Sequence, residues 1–100
     1  MPIPLDSVVD EIRTLAENSA NVFFVPHATG QMNKRGIIQT QVIEVLQRGI
    51  VVEGPMLDSY QQAGWKVTME LFCAGRTVGV AAKLIEQGNN RILVITAFTK

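Results

Sequence analysis

The chain has 100 residues and a mass of 11.0 kDa, the size of one domain spanning 1–100. With 47% apolar and 18% charged residues it is not intrinsically disordered, and nine basic residues against nine acidic ones leave no bulk positive field for nucleic acid. The one cysteine, Cys73, closes no internal disulfide, and no apolar run approaches the roughly 18 residues of a membrane span, so the expected compartment is the cytoplasm.

Residues 1–20 read as an N-terminal helix. Leu5, Val8, Val9, Ile12, Leu15 and Ala16 fall within about 120° of one another at 100° per residue. Asp6 or Ser7 suits the N-cap, and Ser7 with Asp10 resembles a capping box. Pro2 and Pro4 precede the first turn, where a missing N–H does no harm. The opening stretch lacks the basic-then-apolar order of a signal peptide. Val22, Phe23, Phe24 and Val25, closed by Pro26, form a short strand. Residues 27–35 form a short helix with Gly36 at the left-handed C-cap. Residues 40–48 form another, ended by Gly49, with Val42, Ile43, Val45 and Leu46 as its apolar stripe.

The remainder is β. Residues 50–53 give a short strand, followed by a turn-rich stretch over 54–64. Residues 65–74 alternate, with Trp65, Val67, Met69, Leu71 and Cys73 on one face and Lys66, Thr68 and Glu70 on the other. Ala74, Gly75 and Arg76 turn the chain, and residues 77–85 place Val78, Val80, Ala82 and Leu84 on one face. After a turn at Gly88, Asn89 and Asn90, residues 91–98 are apolar on both faces, as in an inner strand. Ile92, Val94 and Phe98 mark one face; Leu93, Ile95 and Ala97 mark the other. The expected fold is α+β, a three- or four-stranded antiparallel sheet with helices packed on one face.

Chemistry concentrates in residues 27–37. On a helix, His27, Gln31 and Lys34 lie within about 60° of one another and Arg35 about 40° further round, while Ala28 and Met32 pack inward. An imidazole beside cations favours its neutral, proton-accepting form, and the cations can hold a phosphate. That set suits phosphodiester chemistry; the plainer reading makes His27 a cap or a loop contact. Glu53 is either a base beside Arg35 or, preferably, its ion-pair partner. Thr96 interrupts the apolar face of the last strand, as a site hydroxyl or simply as a good strand residue. Tyr60 and Trp65 flank a turn where a base can stack, although Trp65 also begins an apolar face. Lys66, Arg76, Lys83 and Arg91 read as solvated charges, and Cys73 as a small core hydrophobe. One histidine and one cysteine give no metal-ligand pattern, no phosphate-binding glycine loop occurs, and no cofactor is implied.

Residues 22–98 carry a resemblance. They are similar to a bacterial family of domains of unknown function with the signature H-A-x-x-R-M-x-x-R-G-I, a second helix and a final I-T-(V/A)-(Y/F) strand. The matching residues are His27, Ala28, Met32, Arg35, Gly36 and Ile37, then Val94, Ile95, Thr96, Ala97 and Phe98. That family resembles the RelE/ParE-like toxins, within the barnase, EndoU, colicin and RelE nuclease folds. The resemblance implies a RelE-like core of one strand, two helices and a three-stranded antiparallel run, to which the N-terminal helix is added. It also implies toxin or ribonuclease activity. Gln31 stands where the family has arginine, and an amide lacks the charged fork that grips a phosphate.

Two functions follow. The first is a toxin-related domain that cleaves RNA without a metal, with an antitoxin-like protein as partner. Its catalytic residues are His27 as general acid/base with Lys34 and Arg35 on the phosphate, and Gln31, Glu53 and Thr96 bind substrate. The second is a non-catalytic interaction module or inactive relative, favoured by Gln31 and the neutral charge. In that case the N-terminal helix either covers its own sheet or forms a homodimer. A small-molecule enzyme is a third reading for which no residue names a substrate.

Overall fold

The computed structural model describes residues 7–59, 62–86 and 88–100. The elements run α1 (Val8–Leu15), β1 (Val22–Phe24), α2 (Pro26–Arg35), α3 (Gln39–Arg48), β2 (Ile50–Asp58), β3 (Gly64–Cys73), β4 (Arg76–Ile85) and β5 (Arg91–Thr99), with a 3-10 turn at Ser19–Asn21. The class is α+β, as expected. The sheet, however, has five strands in the order β1-β5-β4-β3-β2, not three or four, and it is mixed. β1 pairs with β5 in parallel, so the wholly antiparallel expectation fails at that edge. The other strands form one antiparallel run. A parallel pair needs a long crossover, which sequence patterning does not reveal because the two strands lie at opposite ends of the chain.

The helices cover one face of this sheet. Val8, Ile12 and Ala16 of the first helical segment pack with Ala28 and Met32 of α2, Val42, Val45 and Leu46 of α3, and the inward row of the sheet. That row includes Val67, Met69, Val78, Val80, Ala82, Leu84, Ile92 and Val94, the alternation read from sequence. Each fully buried aliphatic here contributes about 1.5–3 kcal/mol relative to exposure. The N-terminal helix therefore covers its own core. It is tied there by Arg13, whose Nη1 and Nη2 donate to the Gln47 and Gly49 carbonyls at 2.8 Å, while Gln47 Nε2 returns a bond to the Ala16 carbonyl at 3.0 Å. These bonds satisfy carbonyls that helix ends leave without partners.

Several boundaries differ from the sequence reading. The first helix stops at Leu15, because Asn18 takes the Ala20 N–H and starts a tighter turn. Ser7 is the N-cap but its side chain makes no capping bond. Pro2, Pro4, Leu5, Asp6 and Tyr60 lie outside the described residues. β2 continues through the stretch read as a turn. Gly54 sits at φ +82° within the second of two register shifts, between Glu53 and Met56, and a bulged edge strand accommodates the following Pro55. In β5 the pairing slips at Ile95: Val94 faces Ala82, but Thr96 faces Ala81. The extra residue reverses the alternation, so Ala97 joins Ile92 and Val94 in the core, and Phe98 moves to the opposite face with Leu93.

A cationic cleft on the open sheet face as the candidate functional site

No described helix covers the other face of the sheet. Strand pairing sets its side chains in rows. One row runs Phe23, Leu93, Lys83, Lys66, Met56 across all five strands. The adjoining row runs Thr96, Ala81, Thr68, Glu53. Leu93, Lys83 and Lys66 of the first row form the floor of a cleft of about 610 Å³, within the size range of small-molecule sites. Leu93, Ile95, Val25 and Pro26 give it an apolar wall; His27, Asp58, Lys66 and Lys83 give it polar groups.

Lys66 and Lys83 are direct cross-strand partners. Like charges in that position oppose folding. Asp58 relieves the conflict on one side. Lys83 is only 2% exposed, and its Nζ lies 3.3 Å from Asp58 Oδ2 and donates to the Gln62 carbonyl at 2.8 Å. The side chain reaches Asp58 across Gly64, where a Cβ would fall 2.7 Å from Lys83 Cγ and 2.9 Å from Ile85 Cδ1. Glycine keeps that path open. Lys66 has no such partner: no hydrogen bond or ion pair engages it among the described residues. His27, exposed at the second position of α2, is likewise without one. The cleft thus combines a neutralised buried lysine, an available lysine and an available imidazole.

Of the six residues singled out from sequence, only His27 lines this cleft. Gln31, Lys34 and Arg35 share its helix, as expected, and Ala28 and Met32 are buried beneath. Shared angle is not shared position. At 1.5 Å per residue, Lys34 and Arg35 sit about 10 and 12 Å further along the axis than His27. Arg35 Nε donates to Gln31 Oε1 at 3.2 Å instead of pairing with Glu53. The far end of α2 is a structural junction. Gly36 takes the left-handed C-cap at φ +66°, the Ile37 N–H bonds the Met32 carbonyl, and Arg76 donates to the Arg35 and Gly36 carbonyls at 2.6 Å. Arg76, read as solvated, is therefore a clasp between the β3–β4 turn and α2. Thr96 and Glu53 lie on the open face in the adjoining row, outside the cleft lining, with Glu53 exposed on the edge strand.

Asp58 was not singled out from sequence, and Lys66 and Lys83 were read there as solvated charges, which fails for Lys83 because its side chain is buried against Asp58 and the Gln62 carbonyl. Lys83 did carry a signal, since Gly79, Ala81 and Ile85, its neighbours on the same strand face, are all small or apolar. Cys73 is half-buried at the end of β3 and Trp65 packs against the core. Among the described residues no group of three histidine, cysteine, aspartate or glutamate side chains is placed to hold a metal ion. No described helix is long and apolar enough to cross a membrane.

No curated protein and no solved structure matches the chain. Residues 24–99 match the profile described as Domain of unknown function (DUF4258), and the chain belongs to that family.

Proposed function

We propose that the chain is a toxin-related domain, RelE-like in its layering, that acts on RNA phosphodiesters in the open-face cleft. The observation that carries this reading is the in-register pair Lys66–Lys83 with His27 at the same cleft. A fold that tolerates facing lysines, and neutralises only one of them, has kept a cation where an anion can use it. Helices on one face, with no described helix on the other, also support the RelE-like likeness, although one fold hosts many functions.

The chemistry needs no metal. The 2′-oxygen attacks phosphorus, the P–O5′ bond breaks, the 2′-hydroxyl proton leaves to a base, and a proton is delivered to the departing 5′-oxygen. The products are a 2′,3′-cyclic phosphate and a 5′-hydroxyl. His27 is the proton carrier. Lys66 opposes the charge that develops on the phosphoryl oxygens. The role first given to Lys34 and Arg35 passes to Lys66 because those two side chains arise a full two helical turns from His27.

Incubation of the protein with single-stranded RNA in EDTA tests this. The expected result is cleavage with cyclic-phosphate ends, lost in His27→Ala and reduced about 100-fold in Lys66→Met. Lys34→Ala and Arg35→Ala should fall much less. Intact RNA with the wild-type protein, together with equal bacterial growth on expressing wild type and His27→Ala, would remove the proposal.

The non-catalytic reading retains one specific support. The edge strand β2 exposes Ile50, Val52, Met56 and Leu57, and Phe23 and Phe72 are exposed elsewhere on the sheet. Such an edge offers a surface to a protein partner, an antitoxin-like chain or a second copy. Concentration-dependent mass from light scattering reads out the second-copy case directly.

A further inference from the structure

The charge facing the cleft can be followed residue by residue. Lys83 is engaged by Asp58 and the Gln62 carbonyl. Arg91, near the cleft on β5, has its own interactions. Beyond the Lys66 row the open face offers Thr68, Ala81 and Thr96, then Phe98 lying over Gly79. Next to these, Glu70 is bound to Lys100 at 2.9 Å. The exposed edge adds Glu53. Of the other cations, Arg48 is engaged with Glu44, Arg35 with Gln31 and Arg76, at the start of β4, with two carbonyls, while Lys34 arises about 10 Å further along α2 than His27. Among the described residues no cationic track leads away from the cleft. A strand of RNA laid across the sheet would find one fixed positive charge and then neutral or acidic surface.

From this we infer that the cleft is a one-phosphate site, taking a single nucleotide unit with its phosphate at Lys66 and His27 and its base against Pro26, Leu93 and Ile95. The inference rests on the cleft being the phosphate site proposed above and names the ligand class: a nucleoside monophosphate, or an RNA gripped at one phosphate only. The polar groups and the apolar wall line one cavity, which matches an amphipathic ligand with one charged end. Gripping one phosphate releases few counter-ions, so affinity depends weakly on salt. The slope of log K against log salt is about −0.7 per phosphate for single strands.

The test uses the full chain and three probes in calorimetric or fluorescence titrations: inorganic phosphate, adenosine 5′-monophosphate and a five-nucleotide 2′-O-methyl RNA, which resists cleavage. The expected result is that the nucleotide and the oligomer bind within about fivefold of each other, phosphate at least tenfold more weakly, and the oligomer shows a slope near −0.7. Lys66→Met should weaken both nucleotide ligands tenfold or more. An oligomer slope steeper than about −2 with the Lys66 effect intact would overturn the one-phosphate inference and leave the cleft reading standing. Phosphate binding as tightly as the nucleotide would overturn the base-on-wall part. Absence of binding, or binding that Lys66→Met leaves unchanged, would overturn the cleft reading itself.

Discussion

Replacing Asp58 by alanine removes the counter-ion of Lys83 and leaves its ammonium in a side chain 2% exposed. Breaking a buried ion pair from one side costs about 3–5 kcal/mol, because an uncompensated charge stays behind. Asp58 keeps 29% of its side-chain exposure, and the Gln62 carbonyl remains as an acceptor. The loss should therefore fall low, at about 2–3 kcal/mol, or about 10–20 °C in Tm for a domain of this size. Lys83→Met keeps the apolar stem and leaves a carboxylate that water reaches plus one carbonyl short of a donor, a cost of about 1–2 kcal/mol. The double variant has neither charge and should lie within about 0.5 kcal/mol of Lys83→Met, making it more stable than Asp58→Ala alone. Urea unfolding followed by the fluorescence of Trp65, the single tryptophan, measures all four proteins. Additive losses, or an Asp58→Ala loss below about 0.5 kcal/mol, would refute a buried cation held by Asp58.

Ile12→Ala should cost about 2–5 kcal/mol in the same unfolding assay, since Ile12 is fully buried; a change under about 1 kcal/mol would mean that α1 is not part of the core. Arg76→Met should cost about 1 kcal/mol and speed amide exchange at Ile37, whose N–H closes the α2 C-cap, while leaving exchange in α3 unchanged. Gly79→Ala places a methyl group against the Phe98 ring and should cost about 1–3 kcal/mol; Gly79→Ala combined with Phe98→Ala should recover part of the loss that either change adds to the other, as denaturant midpoints will show.

The sheet's inward face was legible because period-two alternation in β3 and β4 survives intact from sequence to structure. The end of α2 was legible too, since Gly36 marks a left-handed C-cap. What failed did so for local reasons. Gly54 and Pro55 look like a break, yet an edge strand absorbs them as a bulge, so β2 was cut short. One unpaired residue at Ile95 exchanged the faces of Ala97 and Phe98, which no pattern in an all-apolar strand could announce. The cleft was missed through a turn. Reading Ala74, Gly75 and Arg76 as a three-residue connection hides the register, whereas the chain turns on Ala74 and Gly75 alone, at φ +55° and +83°, with Cys73 opposite Arg76. Counting back from that two-residue turn brings Lys66 opposite Lys83. The helical wheel misled in the other direction: it aligned His27 with Lys34 and Arg35 by angle and ignored the rise between them.

The claim on which the functional account turns is that an anion seats between His27 and Lys66. Nuclear magnetic resonance of isotope-labelled protein, titrated with adenosine 5′-monophosphate, reads this residue by residue. Saturable shifts should concentrate at His27, Lys66, Leu93 and Ile95 and leave Lys34 and Arg35 nearly unmoved. Shifts confined to the last turn of α2, or none at millimolar nucleotide, would contradict it.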